Sequence, residues 1–467
     1  MYEHDTIAAI ATPPGQGGIA VIRVSGADAE RTLRQLFLPN TPWEKLHSHH
    51  FYLGKILDQP DGQPIDQAGL VLMRAPHSYT GEHVAELHLH GGSFLTRRVL
   101  ETILNQGVRP AQSGEFTKRA FLNGRLDLIQ AEAVLDLIHA KNETGLHLAW
   151  EDLSGRLSQA CAAIRDRLIA QTAYLEAFID FPEEDIPEQG QHELGAAFSS
   201  IRGDIEALAV TFSQGKVYRD GLRTAIIGKP NVGKSSLLNL LSGTERAIVT
   251  RIPGTTRDVL EEAVIVNDIP LVVRDTAGIR QTTDEIEKIG IERSLSSIEQ
   301  AELIVALFDL SRPFDADDAL LCEKITGKKC ILVGNKSDLP QKFDATHLVD
   351  NLDIEAPRIL HIAALYGTGM DDLGNRIQEV ALGQGRPGES ATGPYKGVMI
   401  TKIRHKVALE RAAASVQCAE QGLAASLPLD LVAVDLRASL DHIGAITGQV
   451  SSEEILDRVF QEFCIGK

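Results

Sequence analysis

The residues best suited to chemistry form a glycine-rich stretch near the middle of the chain, G-K-P-N-V-G-K-S at 228–235. It follows a short apolar run that predicts a buried strand. Its glycines allow backbone N–H groups to turn inward around a polyphosphate, and a helix beginning near Lys234 would direct its positive dipole end at the same anion. The Lys234 ammonium would then reach the β- and γ-phosphates, and the Ser235 hydroxyl would hold Mg²⁺. The stretch therefore predicts a phosphate-binding loop.

Two further motifs follow, each at the end of an apolar run. The run 269–273 leads into D-T-A-G at 275–278, where a carboxylate holds Mg²⁺, often through water, and the glycine N–H can sense a γ-phosphate. The run 330–334 leads into N-K-S-D, which ends at Asp338. This carboxylate can accept hydrogen bonds from guanine N1–H and the exocyclic amine, and adenine offers neither donor. The three motifs together predict a GTP-binding domain.

The hydrolytic machinery departs from that of many regulatory GTPases. Those enzymes place a glutamine directly after the D-x-x-G tetrad to orient the attacking water, but here the position is Ile279. A monovalent cation, held by Asn231, the carbonyls of Thr250 and Ile252, and Thr255, would lie where an arginine finger reaches in other systems. Thr256 would close on Mg²⁺ in the triphosphate state. For the water, the sequence leaves four side chains open: Arg280, Asp284, Glu285 and Glu287.

Length and composition set the class of protein. A chain of 467 residues is too long for one core and predicts about three domains. Hydrophobic residues make up 43% and charged residues 24%, as in ordinary globular proteins. No long apolar run and no signal-peptide pattern is present, which predicts a cytoplasmic protein without a membrane span. The five cysteines contain no C-x-x-C pair, so we expect reduced thiols.

The net charge of −18 argues against a protein that coats nucleic acid nonspecifically. RNA binding would need a local basic patch. Three stretches are candidates, although a solvated helix face is the commoner explanation of each: Arg97-Arg98, Lys118-Arg119 with Arg125, and Lys402 to Lys406.

Residues 1–120 have the pattern of an α+β domain. The predicted strands are Thr6 to Ala11, Ile19 to Val24, His50 to Leu57, Ala68 to Arg74 and Val84 to His90, with helices over 28–37 and Phe94 to Asn105. Glu86, His88 and His90 alternate with apolar residues and share one face of a strand. A metal site there is possible in principle, but an ordinary polar face is far commoner and is the interpretation that we favour.

The pattern becomes helical over 121–220 and again over 384–467, on either side of a complete nucleotide-binding unit at 221–383. Inserting a domain is easy when its termini lie close together. The predicted fold is therefore multidomain, combining α/β, α+β and all-α parts. A Ras-like P-loop GTPase domain is inserted in a discontinuous helical domain, and the α+β domain precedes both.

These motifs closely resemble those of the bacterial family of tRNA modification GTPases called MnmE or TrmE. The resemblance runs from Asp5-Thr6-Ile7 to Cys464-Ile465-Gly466-Lys467. Its most specific pieces are A-T-P-P-G-x-G-G-I-A at 11–20, Y-T-G-E at 79–82, H-G-G at 90–92, F-L-N-G-R-L-D-L at 121–128, D-F-P-E-E at 180–184, G-K-P-N-V-G-K-S-S at 228–236, P-G-T-T-R-D at 253–258, I-G-I-E-R at 289–293 and the C-I-G-K tail.

The resemblance implies a homodimer whose N-terminal domain mediates dimerisation and binds a reduced folate, either 5-formyl- or methylene-tetrahydrofolate. It implies joint action with MnmG, a flavoprotein that carries FAD, in a heterotetramer-type complex. The pair would add an aminomethyl or carboxymethylaminomethyl group to C5 of the wobble uridine of certain tRNAs, with the folate supplying the one-carbon unit. Potassium would fill the cation site and drive pairing of the GTPase domains.

Carried onto this sequence, the resemblance assigns the water-positioning acid to Glu287 and the folate contacts to Arg23, Glu82, Arg125 and Lys467. Cys464 corresponds to the family's tail cysteine, for which a dispensable thiol remains an open alternative. Lys234 is the second predicted catalytic residue. The predicted GTP contacts are Asn231, Val232, Gly233, Lys234, Ser235, Ser236, Thr250, Arg251, Ile252, Pro253, Gly254, Thr255, Thr256, Asp275, Thr276, Ala277, Gly278, Asn335, Lys336 and Asp338.

One departure from the family pattern lies beside the guanine. The base-side loop, often S-A-K or S-A-L, reads Ala363-Ala364-Leu365, so one hydroxyl contact is absent. We expect the Ala364 N–H to meet guanine O6 all the same.

Two other functions are compatible with parts of the sequence. A regulatory or ribosome-assembly GTPase would share the Asn231 loop and Ile279, but it has no need for the N-terminal domain and the C-I-G-K tail. A structural scaffold would leave the intact Lys234, Ser235 and Asp338 unexplained.

Overall fold

The structure, a computed structural model, describes residues 5–180, 190–244, 262–273, 298–352, 358–383, 395, 397–450 and 453–467. The chain divides into two compact units. Unit 1 comprises Met1–Leu135, Asp152–Ala162 and Asp441–Lys467, and unit 2 comprises Asp136–Glu151 and Ala163–Leu440. Within the described residues, each unit is built on one β-sheet.

The strands are β1 (Ile7–Ile10), β2 (Ile19–Ser25), β3 (Phe37–Pro39), β4 (Phe51–Leu57), β5 (Pro64–Met73), β6 (Val84–His90), β7 (Arg109–Pro110), β8 (Leu222–Gly228), β9 (Glu262–Val266), β10 (Ile269–Val273), β11 (Leu303–Asp309), β12 (Cys330–Asn335) and β13 (Ile359–His361). The helices are α1 (Ala29–Leu36), α2 (Ser93–Leu104), α3 (Glu115–Leu122), α4 (Leu128–His139), α5 (Glu143–Leu153), α6 (Arg156–Asp180), α7 (Gln191–Val210), α8 (Phe212–Asp220), α9 (Lys234–Thr244), α10 (Ala316–Ile325), α11 (Thr346–Leu352), α12 (Met370–Leu382), α13 (Ile403–Ala424), α14 (Leu429–Thr447) and α15 (Glu453–Gln461).

The sheet of unit 1 has the strand order β3-β4-β5-β6-β2-β1-β7. Its pairs are antiparallel except for β1 with β7. Helices α1 and α2 contribute Leu33 and Val99 to a core that also contains Ile22 and Leu87 of the sheet. The register sets Arg23 of β2 opposite Glu86 of β6. The strands alternate between this core and the opposite face, which explains why the period-two pattern predicted most of them correctly.

Within unit 1, the C-I-G-K segment is held against the N-terminal part of the chain through backbone contacts. Ile465 forms a β-bridge with Ser113, and the Phe116 N–H donates to the Lys467 carbonyl at 3.2 Å. Gly466 has φ +101°, and a Cβ at this position would lie 2.3 Å from the carbonyl oxygen of Ile10. Only glycine permits this close approach. The segment is thereby fixed against strand β1 and the start of helix α3.

The sheet of unit 2 has the order β13-β12-β11-β8-β10-β9, and its pairs are parallel except for β9 with β10. All seven residues of β11 are buried. One face packs on α9 and α12 through residues such as Leu237 and Ile377. The other packs on α10 and α11, through Ile325 and Leu348. A parallel sheet covered on both faces requires such continuous apolar strands.

Helices from before and after this sheet in the sequence pack together within unit 2. Helix α7 lies along α13, where Arg202 Nε is 3.1 Å from a Glu420 carboxylate oxygen. The Gln191 side chain donates to the Leu423 carbonyl at one end of the pair. Helical segments that are remote in sequence therefore share one packed surface.

The structure corrects several predictions from the sequence. Strand β5 begins at Pro64 instead of Ala68, helix α3 begins at Glu115 although helical pattern was expected only from residue 121, and β3 and β7 were not predicted. Lys402 is not part of a solvated basic face, because its ammonium lies 3.0 Å from Asp136 and its side chain is 12% exposed. Arg119, from another candidate patch, is buried against carboxylates.

The polar side chains of β6 pair with residues of neighbouring strands. Glu86 pairs with Arg23 at 2.8 Å, and His90 Nδ1 lies 2.6 Å from Asp66. In the part of the chain that the structure describes, no group of three or more His, Cys, Asp or Glu side chains could hold a metal ion. No helix among the same residues is long and apolar enough to cross a membrane.

Candidate nucleotide and folate sites

The predicted phosphate-binding loop connects β8 to α9 at the carboxyl end of the parallel strands. Its backbone has φ +157° at Gly228, +60° at Asn231 and +108° at Gly233. A Cβ on Gly228 would lie 2.6 Å from the Leu307 carbonyl oxygen, and one on Gly233 would lie 2.1 Å from Asn335 Nδ2. Both glycines are thus required by positive φ and by close neighbours. The loop ends at the N-terminus of α9, where the first N–H groups of the helix point toward the loop. A phosphate-binding site requires this arrangement.

Lys234, at the start of α9, folds back over the loop. Its Nζ donates to the carbonyl oxygens of Gly228 at 2.7 Å and Lys229 at 2.8 Å. Burial lowers the pKa of Lys234, because the loop removes the ammonium from water. Among the described residues, the recorded partners of this ammonium are neutral carbonyls, so an anion in the loop would supply its counter-charge.

Asn335 connects the phosphate loop to the base-side loop. Its side chain is 3% exposed, its Nδ2 donates to the Val232 carbonyl at 2.7 Å and its Oδ1 accepts the Ala364 N–H at 3.0 Å. The Ala364 N–H, which we expected to meet guanine O6, is therefore directed at Asn335 in this structure. It could serve a base only if this hydrogen bond were released or shared.

The residues after Asn335 form the predicted base-binding turn. Lys336 has φ +63°, and its ammonium lies 2.6 Å from Asp309 at the end of β11. Burial alone would raise the pKa of Asp309, but Lys336 and the hydroxyl and N–H of Ser311 outweigh it and hold the pKa below its usual value. Asp338 is exposed at the end of the turn. The predicted phosphate and base recognition groups thus lie at the same edge of the sheet.

Lys229, the second residue of the loop motif, has a role that the sequence analysis missed. Its ammonium lies 2.8 Å from Asp315 and 2.7 Å from Asp318. Asp315 and Asp318 form a capping box at the start of α10. Burial alone would lower the pKa of Lys229, but the two carboxylates raise it overall. An aspartate with a second acidic residue three positions later is a pattern that can begin a helix, but it does not indicate an ionic partner.

Several predicted site residues lie outside the described residues. They are Thr250, Arg251, Ile252, Pro253, Gly254, Thr255, Thr256, Asp275, Thr276, Ala277, Gly278 and Glu287. Of the predicted phosphate-loop contacts, Ser235 and Ser236 lie in the first turn of α9.

Two of the predicted folate contacts, Arg23 and Lys467, lie together in unit 1. The Arg23 guanidinium is 5.4 Å from the ring centroid of Tyr79 and 5.6 Å from that of Phe116. Burial and then the Arg23 charge lower the pKa of Lys467, while Glu86 acts in the opposite direction. Arg23, which also pairs with Glu86 at 2.8 Å, thus lies near two aromatic rings with a second cation close by. Such a group of side chains suits a ligand that is both flat and anionic.

The other two predicted folate contacts, Glu82 and Arg125, both lie close to Gly81. Glu82 Oε2 accepts a hydrogen bond from Ser25 Oγ at 2.8 Å. Arg125 is exposed, and its Cγ would lie 3.3 Å from a Cβ on Gly81. Helix α3 connects the two pairs, because its Phe116 faces Arg23 and its Arg119 contacts Glu82. Cys464 is exposed in the adjoining C-I-G-K segment.

Two protein families match the chain in sequence. The family described as MnmE helical domain matches residues 128–464. The family described as GTP-binding protein TrmE N-terminus matches residues 6–125.

Known relatives match the chain over its length. The tRNA modification GTPase MnmE of Natranaerobius thermophilus is 43% identical over 464 residues, covering 99% of this chain and 100% of the relative. The protein of the same name from Geobacter metallireducens is 44% identical over 467 residues and covers 100% of both chains. A crystal structure of Aquifex aeolicus Era bound to GDP and AlF₄⁻ is 29% identical over 43% of this chain and 66% of its own, with a TM-score of 0.26. That score is too low to carry an argument about the fold.

Proposed function

The chain belongs to the family of tRNA modification GTPases named MnmE, and from this membership we propose that it hydrolyses GTP in the course of modifying tRNA. The observation that best supports nucleotide binding is the hydrogen-bonded connection from the phosphate loop through Asn335 to the base-side loop. This connection would hold the two ends of the proposed nucleotide site at a fixed distance from one another.

At the phosphate end, the proposed site consists of the loop and the half-buried ammonium of Lys234. The Lys234 ammonium would exchange the carbonyls of Gly228 and Lys229 for phosphate oxygens. At the base end, Asp338 would accept the two guanine donors, and Asn335 would keep the turn at a fixed distance from the loop. Asn231, Val232, Gly233, Ser236 and Lys336 are further proposed contacts, together with the predicted GTP contacts that lie outside the described residues.

Two cations are part of the proposal. Ser235 and Thr256 would hold Mg²⁺, and Asn231, Thr250, Ile252 and Thr255 would hold K⁺. When bound, the two ions neutralise charge that develops on the phosphates. Ser235 fits this assignment, because it lies in the first turn of α9 directly after Lys234. Glu287 would orient the attacking water, since Ile279 has no group that can.

The modification chemistry is proposed from the family membership. The protein would act as a homodimer with the flavoprotein MnmG, which carries FAD, on the wobble uridine of certain tRNAs in the cytoplasm. A reduced folate held by Arg23, Glu82, Arg125 and Lys467 would supply the one-carbon unit for the aminomethyl or carboxymethylaminomethyl group. The clustering of Arg23 and Lys467 supports an anionic ligand at this position.

The domain arrangement is also a proposal. Residues 1–120 would bind folate, 121–220 and 384–467 would form one helical domain, and 221–383 would be the inserted GTPase. The packing of α7 on α13 supports it, because these helices lie on opposite sides of the GTPase in the sequence.

The potassium mechanism is tested by GTP hydrolysis in KCl and NaCl at equal ionic strength, with Glu287→Ala beside the wild type. We expect strong stimulation by potassium that Glu287→Ala removes, while binding of a fluorescent GDP analogue persists. Glu285→Ala, a neighbouring acid in the same segment, is the matched control and should retain the stimulation. Equal rates in both salts would refute the cation mechanism and favour a GTPase that needs a separate activating protein.

A further inference from the structure

The inference concerns Lys229, the second residue of the phosphate loop, and it rests on the proposed nucleotide site. The main chain and the side chain of Lys229 have different partners. Its carbonyl accepts a hydrogen bond from the Lys234 ammonium at 2.8 Å. Its own ammonium contacts Asp315 at 2.8 Å and Asp318 at 2.7 Å. One residue therefore joins the lysine of the phosphate site to the start of helix α10.

The two carboxylates of this group, which we call the Lys229 cluster (Lys229, Asp315 and Asp318), are held by the helix that they begin. Asp315 Oδ1 accepts the N–H groups of Asp317 at 3.0 Å and Asp318 at 3.2 Å. Asp318 Oδ2 accepts the Asp315 N–H at 3.2 Å. The other oxygen of Asp315 contacts Lys229. The ammonium thus binds two carboxylates whose positions the helix already sets.

The Asp318 carboxylate needs Lys229 as a counter-charge. Its side chain is 2% exposed, and its Oδ1 accepts no hydrogen bond in the part of the chain that the structure describes. Its Oδ2 lies 2.7 Å from the Lys229 ammonium. A buried carboxylate without an opposite charge beside it is costly, so this contact should hold the Lys229 side chain firmly in place.

The connection between β11 and α10 also reaches the predicted base-binding turn. Asp309, the last residue of β11, lies 2.6 Å from the Lys336 ammonium. At the other end of this connection, Asp315 contacts Lys229. The phosphate loop and the base-binding turn are therefore joined by a second route, separate from the Asn335 side chain.

We propose that Lys229 is a positioning residue for nucleotide binding. Its ion pairs hold the beginning of the phosphate loop in place, and they keep its carbonyl beside the Lys234 ammonium until a phosphate arrives. Without these ion pairs the free loop would have more conformations, of which only a fraction could accept a nucleotide. A bound nucleotide holds the loop by itself, so loss of the ion pairs should slow association more than it speeds dissociation.

The test measures association and dissociation of a fluorescent GDP analogue with the full-length protein by stopped flow. Lys229→Met keeps most of the side-chain length but removes the charge, and it should weaken affinity by about fivefold or more, mainly through slower association. Lys229→Arg should restore most of this loss, because a guanidinium can bind both carboxylates.

Lys216→Met is the matched control for loss of an ion pair. Lys216 lies 2.8 Å from Glu302, which precedes β11 at the opposite end of the sheet from the phosphate loop. Because this ion pair is remote from the proposed nucleotide site, the affinity of Lys216→Met should stay within about twofold of the wild type.

Asp315→Asn separates positioning from simple attraction between the Lys229 charge and the phosphates. Asparagine begins helices as well as aspartate does, so the cap is kept while the ion pair with Lys229 is lost. Attraction alone would make this variant bind an anion more tightly, because a negative charge is removed nearby. Positioning predicts the opposite sign, a loss of roughly twofold to fivefold. Asp317→Asn changes the charge equally without a described contact to Lys229, and its affinity should not fall.

The melting temperature of each variant is measured beside its kinetics. Tighter binding by Asp315→Asn, or equal losses of affinity in Lys229→Met and Lys216→Met, would overturn the positioning role and leave the nucleotide site intact. Wild-type association by Lys229→Met would do the same, and Asp315→Asn serves if Lys229→Met does not fold. A wild-type protein that binds no GDP analogue would overturn both the proposed nucleotide site and the inference.

Discussion

The side chains of Asn142 and Asp268 together cap the start of helix α5, although the two residues lie in different parts of the chain. Asn142 Oδ1 accepts the Gly145 N–H at 2.6 Å, and Asn142 Nδ2 donates to the Asp268 carbonyl at 2.8 Å. The Asp268 carboxylate accepts the N–H groups of Glu143 at 3.1 Å and Thr144 at 3.0 Å. Asp268 lies in the turn between β9 and β10, so this hairpin satisfies the exposed N–H groups of a helix outside the sheet.

Replacing Asp268 with glycine should destabilise unit 2 by about 1–2 kcal/mol, because two hydrogen bonds to a carboxylate at a helix start are lost. Glycine is chosen because Asp268 has φ +65°. Asn267→Gly, at φ +47° in the same turn, is the control for the backbone effect. It should cost clearly less, because it loses only an exposed hydrogen bond to the Asn375 side chain. Urea unfolding and hydrogen exchange in α5 measure both. Equal stability of the two variants would contradict the capping role.

Replacing Gly233 with alanine should abolish tight nucleotide binding. The new Cβ would meet Asn335 Nδ2 at 2.1 Å in a backbone of φ +108°, a strain of at least about 3 kcal/mol and so on the order of a 100-fold loss in affinity. Gly243→Ala, in α9 with no atom within 4 Å of the new Cβ, should bind a fluorescent GDP analogue like the wild type. Similar affinities for the two variants would mean that the loop tolerates displacement of Asn335.

Nucleotide affinity should fall at alkaline pH because of Lys234. Burial lowers its pKa below the usual 10.5 in the free protein, and phosphates beside the ammonium would raise it again. The bound state then holds this proton more tightly, so affinity is complete below the free-state pKa and decreases as the pH rises through it.

A titration with the fluorescent GDP analogue between pH about 7 and about 10 tests this expectation. Guanine also loses its N1 proton toward the alkaline end. Lys234→Arg corrects for that, because arginine stays charged throughout this range. A wild-type profile parallel to that of Lys234→Arg would rule out a contribution from the lysine.

Gly466→Ala should weaken binding of 5-formyltetrahydrofolate by about tenfold or more, because its Cβ would meet the Ile10 carbonyl and displace the neighbouring Lys467. Gly107→Ala is a suitable control. It has a similar φ of +84°, but no atom lies within 4 Å of its new Cβ. Calorimetry on both proteins distinguishes the clash from backbone strain alone. Unchanged affinity in Gly466→Ala would remove Lys467 from the proposed site.

The sequence predicted the elements whose burial is visible in their own residue pattern. The apolar runs before each GTPase motif are strands β8, β10 and β12, since a sheet covered on both faces needs unbroken apolar side chains. The start of β5 at Pro64 was missed because a proline and the polar pair Asp66 and Gln67 interrupt the apolar run before Ala68. Strands β3 and β7 are too short to show a period, and their pairing with β4 and β1 defines them.

The predicted sites depended on long-range partners that no local pattern displays. Arg119 resembled a solvated helix residue, because its partner Asp5 lies 114 positions earlier in the sequence. Lys229 similarly gave no indication of Asp315 and Asp318. The phosphate loop was predictable because its requirements, glycines at strained φ and a lysine at the helix start, are local. Its anchoring through Asn335 was not.

The attachment of Gly466 to strand β1 also has a kinetic consequence. Unit 1 is assembled from three separate segments, so its tail can dock only after a very long loop has closed. Closing a longer loop costs little in stability, roughly 0.6 kcal/mol per doubling, but contacts between remote residues form slowly. The Phe116 amide, which bonds the Lys467 carbonyl, should therefore gain protection in pulse-labelled refolding after the amides shared by β2 and β6. If the Phe116 amide and the amides of β2 and β6 gain protection at the same time, the tail docks early. If the Phe116 amide gains protection later, docking of the tail is the rate-limiting step in the formation of unit 1.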